Sequence, residues 1–217
     1  MKFGIIVFPG SNCDQDCFHV VEKVFGQPAV KIWHKDKSLQ NVDVVILPGG
    51  FSYGDYLRCG AIAKFSPIMS EIIKFAGNGG KVLGICNGFQ ILIEAGLLPG
   101  SLMRNKDLRF ICDSVALKLM TNKNPFTGKG ISDKSYRLPI AHAEGNYFID
   151  EVGLKHLQDH DQIIFKYVTN PNGSVSDIAG ICNEQKNVLG MMPHPERVCE
   201  EVLGGTDGKF IFESLIS

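Results

Sequence analysis

A strand, a sharp turn and a helix are predicted by Lys81-Val-Leu-Gly-Ile-Cys86-Asn-Gly88-Phe-Gln-Ile-Leu-Ile-Glu-Ala-Gly96. Gly84 and Gly88 lie two residues either side of Cys86, where a strand that turns abruptly into a helix leaves no room for a side chain. This is the spacing of a nucleophile elbow, with sulfur in place of oxygen. The thiol would lie at a helix N-terminus, whose partial positive charge favours the thiolate. The stretch therefore predicts a nucleophilic cysteine in a cleft; the alternative is a buried structural cysteine.

Around this elbow, short apolar runs rich in β-branched residues alternate with amphipathic segments. Such alternation is typical of an α/β fold with a doubly wound, mostly parallel sheet and flanking helices. The predicted strands are residues 3–8, 29–33, 42–47 and 81–85, and the predicted helices are residues 14–25, 57–65, 67–77 and 88–95.

After Pro99 the extended segments are separated by Asn, Gly and Pro turns, which predicts an antiparallel extension of the sheet. These segments are residues 108–119, 136–148, 163–168 and 178–182, and residues 188–192 are predicted to form a last buried strand. The polar loop 121–135 is interpreted as an exposed connection with no chemistry of its own.

Length and composition favour a single domain that spans residues 1–217, because a chain of 217 residues is long enough for one substantial core and short for two. A net charge of -1 and the lack of a dense Lys/Arg run argue against a nucleic-acid or anionic-membrane partner. The first apolar run is too short for a signal peptide or a membrane span, so we expect a cytoplasmic protein. The seven cysteines are an odd number scattered along the chain, and we expect them to be reduced.

Chemically capable residues follow four of the predicted strands. In a doubly wound sheet, ligands bind outside the carboxyl ends of the strands. The residues concerned are Ser11-Asn12, Pro48-Gly49-Gly50, Cys86 and Pro193-His194-Pro195-Glu196. Their convergence on one edge of the sheet predicts the active site.

A cysteine nucleophile needs a base, and the base needs a group that fixes its tautomer. His194 is bracketed by two prolines that restrain its backbone, and Glu196 could accept the imidazole N–H. Attack on a carbonyl also requires donors for the oxyanion. The backbone N–H of Asn87 and a second donor from Gly49-Gly50 are the candidates. Taken alone, the His-Pro-Glu turn is more typical of a solvated loop, and its pairing with the cysteine elbow favours the catalytic role.

Metal and nucleotide sites are not predicted in this chain. Cys13 and Cys17 are four residues apart, but no second ligand pair has zinc spacing. The pairs His142-Ala-Glu144 and His194-Pro-Glu196 lack the Pro-Cys-x-x-Cys of a zinc deaminase. Gly77-Asn-Gly-Gly-Lys81 leads into a strand, so it is not a phosphate-binding Walker loop.

The segments Gly-Ile-Cys86-Asn-Gly-Phe-Gln, Pro48-Gly-Gly-Phe-Ser-Tyr-Gly-Asp and His194-Pro-Glu196 together resemble the class I, triad-type glutamine amidotransferases. Further stretches resemble, within that family, the separate glutaminase subunits of the phosphoribosylformylglycinamidine synthases of de novo purine synthesis. These stretches are Phe8-Pro-Gly-Ser-Asn-Cys-Asp14, Gly49-Gly-Phe-Ser-Tyr-Gly-Asp-Tyr-Leu-Arg-Cys-Gly-Ala61, Arg104-Asn-Lys-Asp107, Asn170-Pro-Asn-Gly-Ser174 and Leu189-Gly-Met-Met-Pro-His-Pro-Glu-Arg197. The resemblance runs from Lys2 to about Leu215.

The resemblance implies that Cys86 attacks the side-chain amide of glutamine, that ammonia leaves, and that water hydrolyses the glutamyl thioester. It also implies that His194 shuttles the protons, that Glu196 orients His194, and that the N–H groups of Gly50 and Asn87 form the oxyanion hole. The substrate-binding residues that it suggests are Gln90, His142, Glu144, Gly145, Asn146 and Tyr147. Ala143 stands where the family has glycine, and its methyl group would crowd the glutamine pocket.

The resemblance further implies partners. A large synthetase subunit would bind formylglycinamide ribonucleotide, ATP and magnesium, a small subunit would bridge the two, and this chain would need no cofactor. The isolated chain would then be a poor glutaminase until its partner docks. Residues 51–58 are the candidate docking surface, and a packed surface loop is the alternative for them.

Three other functions stay open on the sequence. The chain could serve another synthetase, since the triad is the same whichever acceptor receives the ammonia. A non-catalytic redox or scaffold protein with a cysteine elbow is a second alternative, against which the presence of both His194 and Glu196 argues. A cysteine hydrolase acting on esters or peptides is the third.

Overall fold

The structure, a computed structural model, describes residues 1–132 and 134–217, and within them nine strands form one twisted sheet. The strands of the chain are β1 (Phe3–Val7), β2 (Ala29–Trp33), β3 (Val44–Leu47), β4 (Lys81–Ile85), β5 (Ser101–Met103), β6 (Ile111–Leu119), β7 (Ser135–His142), β8 (Asn146–Phe148), β9 (Ile163–Tyr167), β10 (Ile178–Cys182) and β11 (Val188–Met191). The helices are α1 (Asp14–His19), α2 (Pro67–Gly77), α3 (Asn87–Glu94), α4 (Glu151–Asp159) and α5 (Lys209–Ile216).

The order of strands in the large sheet is β2-β1-β3-β4-β11-β10-β9-β6-β7. The first five strands in this order are parallel, and the pairs from β11 through β7 are antiparallel. Strands β5 and β8 form a separate antiparallel pair. The predicted doubly wound, mostly parallel sheet with flanking helices and an antiparallel extension is therefore confirmed.

The inner parallel strands are buried on both faces, as expected for strands covered by helices on either side, whereas the edge strand β2 is only partly buried. All four residues of β3 and all four of β11 are buried, and the core continues into α2 and α3 through Ile72 and Phe89. Among the residues described, no helix combines the length and the apolarity needed to cross a membrane.

The sequence placed several elements within a residue or two of where they lie, and it was wrong about residues 57–65. Only Ala63–Phe65 form a 3-10 turn there, because the preceding loop contains Leu57 at φ 68° and Gly60 at φ 79°. A Cβ at Gly60 would come within 2.8 Å of the backbone nitrogen of Ile91, so this loop packs directly against α3. Close packing on a neighbouring element overrides the local helical pattern.

Other corrections concern the part of the chain after Pro99. The predicted extended segment 136–148 is divided into β7 and β8 by a turn at residues 143–145. The loop that follows β6 is not wholly exposed, because Phe126 and Thr127 are fully buried. The sequence reading also missed β5, α4 and α5, although Asp150 caps α4 by accepting a hydrogen bond from Gly153 N at 2.7 Å.

Candidate active site

The structure brings the four predicted strand ends side by side. Strands β1, β3, β4 and β11 are consecutive neighbours in the sheet, and their carboxyl ends lead to Asn12, Gly50, Cys86 and His194, respectively. An isolated antiparallel bridge joins Ser11 to Gly50 and closes this edge. Parallel strand order therefore collects residues from distant parts of the chain into one cleft.

Cys86 lies at a strained backbone turn between β4 and α3. Its φ of 51° and ψ of -105° fall outside the regions that L-residues ordinarily occupy, and it is the residue that precedes the helix. A Cβ on Gly84 would lie 2.8 Å from the backbone carbonyl carbon of Gly88, and a Cβ on Gly88 would overlap the backbone oxygen of Leu47. The elbow thus requires glycine at both positions, because a side chain at either one would clash with neighbouring backbone, as the spacing predicts.

Gly88→Ala is expected to destabilise the chain by about 3 kcal/mol, because the new methyl group meets the rigid backbone of β3 and cannot be relieved by a rotamer change. Urea unfolding of both proteins would measure the difference. Gly77→Ala is the matched control, since a Cβ there meets nothing within 4 Å. An equal effect of the two substitutions would contradict the steric account.

His194 and Glu196 form a buried pair at the end of β11. His194 Nδ1 lies 2.6 Å from Glu196 Oε1, and both residues are 1% exposed. Burial by itself lowers the pKa of His194, but the Glu196 carboxylate and then Cys86 outweigh it, and the pKa of His194 is raised well above its usual value. His194 Nε2 is buried and has no hydrogen-bond partner among the described residues, which leaves this nitrogen free for proton transfer.

Strand β7 contacts both Cys86 and His194. It is the last strand of the sheet, so its outer edge is free of a neighbouring strand in the observed order. The carbonyl oxygen of Pro139 accepts a hydrogen bond from His194 N at 2.8 Å, and that of Ala141 lies 3.7 Å from Cys86 Sγ. The free carbonyl groups of an edge strand thus hold Cys86 and His194 near one another.

The predicted oxyanion donors come from the residue that follows Cys86 and from the loop after the neighbouring strand β3. Asn87 is the first residue of α3, and the N–H groups of a first helical turn have no partner within the helix. Gly50 has a φ of 135°, and a Cβ there would lie 2.8 Å from Asn12 N, so this loop also requires glycine. The Asn87 side chain accepts from Ser52 N at 3.1 Å, which ties the loop that contains Gly50 to α3.

Of the substrate-binding candidates, Gln90 and Glu144 lie together. Gln90 Nε2 donates to the Glu144 backbone oxygen at 2.6 Å, and Asn87 Nδ2 donates to Gln90 Oε1 at 2.8 Å. Cys59 N lies 3.4 Å from Glu144 Oε2, so the Glu144 carboxylate faces the loop between β3 and α2.

His142 and Gly145 are held by Asn105, a fully buried residue to which the sequence reading gave no role. Asn105 Nδ2 donates to the backbone oxygens of Arg109 and His142, each at 2.8 Å, so Asn105 Oδ1 is the acceptor for Gly145 N and for His142 Nδ1, each at 3.1 Å. Neutral His142 therefore carries its proton on Nδ1. Burial, and then the charge of His194, lower the pKa of His142 to about 4, so His142 is neutral near pH 7.

The last two candidates, Asn146 and Tyr147, belong to β8. Asn146 Nδ2 donates to the Arg104 backbone oxygen at 3.3 Å. Tyr147 is fully buried, its ring stacks on Phe89 with centroids 6.0 Å apart, and its hydroxyl donates to Pro99 O at 2.9 Å. The position of Tyr147 is that of a core residue, so its influence on a ligand would be indirect.

Cys13 and Arg197 join the site without having been predicted for it. The donor atoms of Cys13, His194 and Glu196 all lie within 4.8 Å of one another, and Arg197 Nη2 lies 2.9 Å from Cys13 Sγ. Both residues stood in stretches that carried the resemblance, but a search for ligand spacing along the chain cannot find a contact between residues 184 positions apart.

The chain is similar to known glutamine amidotransferases. Residues 1–205 match the CobB/CobQ-like glutamine amidotransferase domain family. A chain in the structure of PurLQS from Thermotoga maritima is 45% identical with a TM-score of 0.91, and the match covers 99% of this chain and 97% of that one. A glutamine amidotransferase from Thermotoga maritima is 15% identical with a TM-score of 0.64, covers 100% of this chain and 98% of its own, and shows likeness of fold alone.

Proposed function

Because this chain belongs to the CobB/CobQ-like glutamine amidotransferase domain family, we propose that it is a glutaminase subunit that supplies ammonia to a synthetase of de novo purine biosynthesis. The family match confirms the resemblance to glutamine amidotransferases that the sequence predicted. The near-complete, 45% identical match to a PurLQS chain supports the assignment to phosphoribosylformylglycinamidine synthase over other synthetases. Ammonia from glutamine would convert formylglycinamide ribonucleotide to formylglycinamidine ribonucleotide on the partner.

The observation that carries the chemistry is the meeting of a cysteine elbow with a buried His–Glu pair. In the proposed reaction, His194 takes the thiol proton of Cys86, Cys86 Sγ attacks the carboxamide carbon of glutamine, and His194 then donates that proton to the departing nitrogen as the carbon–nitrogen bond breaks. Ammonia leaves as the glutamyl thioester forms. Water then attacks the thioester with His194 as general base, and glutamate leaves with Cys86 restored. Glu196 fixes the imidazole through Nδ1, 2.6 Å away, so Nε2 faces the reaction.

Glutamine binding forms part of the proposal. The N–H groups of Gly50 and Asn87 would stabilise the oxyanion of each tetrahedral intermediate. Gln90, Glu144 and the turn that Asn105 holds would surround the amino-acid end of the substrate. Support comes from the hydrogen bond that Gln90 Nε2 donates to the Glu144 backbone oxygen, because it joins α3 to this turn.

Partners and cofactors complete the proposal. We assign ATP and magnesium to the large synthetase subunit, with a small subunit that bridges it to this chain, and no cofactor to this chain. Tyr56 and Leu57 lie in the loop of residues 51–58 and are 75% and 87% exposed, which favours this loop as the docking surface. A cytoplasmic location is supported by seven cysteines that are all free.

Release of glutamate from glutamine is expected to be slow for this chain alone and to rise sharply when the large and small synthetase subunits, ATP and formylglycinamide ribonucleotide are all present. The reason is that docking of the partner completes the site. Coupled detection of glutamate in mixtures that each lack one component would measure this.

Two other outcomes of that experiment would each contradict part of the proposal. Release that ignores these partners would retain the glutaminase and overturn the purine assignment, leaving another synthetase as the acceptor. No release under any condition, from a folded and partner-bound chain, would overturn the glutaminase and favour a redox or scaffold protein or a different cysteine hydrolase.

A further inference from the structure

A cluster with the donor set of a transition-metal site lies on the catalytic His–Glu pair. Cys13, His194 and Glu196 are each buried, and one ligand atom from each lies within 4.8 Å of the other two. Thiolate, imidazole and carboxylate are the ligands that zinc prefers. The second oxygen of the carboxylate, Glu196 Oε2, is buried and has no hydrogen-bond partner among the described residues. This oxygen is therefore an unused acceptor on the carboxylate of the cluster.

The cation there is a guanidinium group. Arg197 Nη2 lies 2.9 Å from Cys13 Sγ, and Arg197 Nε lies 3.9 Å from Glu196 Oε1 and 3.7 Å from Asp16 Oδ2. Arg197 follows Glu196 in the same 3-10 turn, so the carboxylate and the guanidinium come from neighbouring residues. A buried carboxylate without a counter-charge is costly; His194 lies 2.6 Å from Glu196, and Arg197 adds a second positive group beside the same carboxylate, where a metal ion would otherwise supply the charge.

We propose that Arg197 is a positioning residue that takes the place of a metal ion in the Cys13–His194–Glu196 cluster, with Cys13 as its anchor. The positive charge of Arg197 holds the Glu196 carboxylate in the position from which it contacts His194 Nδ1. Its presence also keeps thiophilic cations from binding the imidazole that catalysis requires. The effect on turnover rests on the proposed glutaminase function; the exclusion of metal does not.

An open cleft gives a route to this cluster from outside. Its volume is about 570 Å³, and its lining includes Asp16, Glu196, Arg197 and Glu200. His19, Val202 and Leu203 complete the lining, so three carboxylates face one guanidinium and one imidazole, and the cleft carries a net negative charge that favours cations. Shortening or neutralising Arg197 would open the path from this cleft to Cys13 Sγ, with Asp16 near enough to the guanidinium to serve as a further ligand.

Cadmium binding to the full chain tests the exclusion of metal. In a Cys86→Ser background, which removes the nucleophile as a ligand, Arg197→Gln is expected to gain a cadmium–thiolate absorption that the Arg197 parent lacks. Adding Cys13→Ser to the Arg197→Gln protein should remove that gain. Arg197→Met keeps the length of the stem without the charge and serves as a second variant should the glutamine variant fail to fold. Equal titrations with and without Arg197, or a gain that survives Cys13→Ser, would overturn the proposal.

Turnover tests the positioning role in the assembled enzyme. Arg197→Gln is expected to lower kcat for glutamine hydrolysis about 10-fold to 100-fold, by analogy with residues that orient metal-binding side chains. KM for glutamine should change little, because Arg197 acts through Glu196 and not on the substrate. Arg197→Lys should recover part of the loss because it restores the charge. An unchanged kcat, or a change confined to KM, would overturn the positioning role. The cadmium result stands whether or not the chain hydrolyses glutamine, so failure of the proposed function is distinguishable from failure of this inference.

Discussion

Cys86→Ala is expected to abolish product formation from glutamine by the assembled synthetase while leaving product formation from added ammonia intact. Alanine retains the small side chain that the elbow tolerates but cannot form the thioester, so no ammonia is released. Ammonia added to the medium enters after this step and bypasses it. Rates with each nitrogen source, measured on the same complex, give the comparison directly.

Cys112→Ala is the matched control for this substitution. Cys112 is an exposed free cysteine on β6, outside the site, so its loss should leave both rates unchanged. Loss of both rates in Cys86→Ala would mean that Cys86 is needed for assembly or folding. Retention of the glutamine-dependent rate would mean that another group is the nucleophile.

Glu196→Gln is expected to lower glutamine turnover by roughly three to four orders of magnitude, the size seen when the acid of a catalytic triad becomes an amide. The carboxylate accepts from His194 Nδ1 at 2.6 Å and raises the pKa of His194; an amide lacks the charge and can donate to that nitrogen, which favours the wrong tautomer. Labelling of Cys86 by iodoacetamide should persist, since the thiol is still present. Steady-state kinetics and peptide mass spectrometry would give the two readouts.

A second His–Glu pair in the chain provides the control. His156 Nε2 lies 2.7 Å from Glu184 Oε1, but both side chains are exposed, and Glu184→Gln should leave turnover unchanged. Similar turnover in Glu196→Gln and the parent would remove the orienting role of Glu196. Loss of labelling together with turnover would indicate that Glu196 maintains the fold of the site instead.

Local steric requirements made the elbow at Cys86 predictable. The residues that decide the elbow lie within five positions of one another, and the sequence could show that Gly84 and Gly88 were needed because a turn of this kind excludes side chains at those places. The same reasoning located His194 and Glu196, since prolines fix the backbone locally. The failure at residues 57–65 has the opposite cause, because contact with Ile91 on α3 decides the conformation of that loop.

The sequence by itself determined the α/β class, the elbow at Cys86 and the set of strand ends at which chemistry would lie, because periodicity and backbone sterics act over a few residues. Only the tertiary structure decided which residues touch those groups: the β7 carbonyl oxygens beside Cys86 and His194, Asn105 beneath His142, and Arg197 on Cys13. The physical reason is that the order of strands in the sheet sets these contacts, and that order depends on how the whole core packs. Cys13 and Arg197 are 184 residues apart, so their contact cannot be inferred from their spacing along the chain.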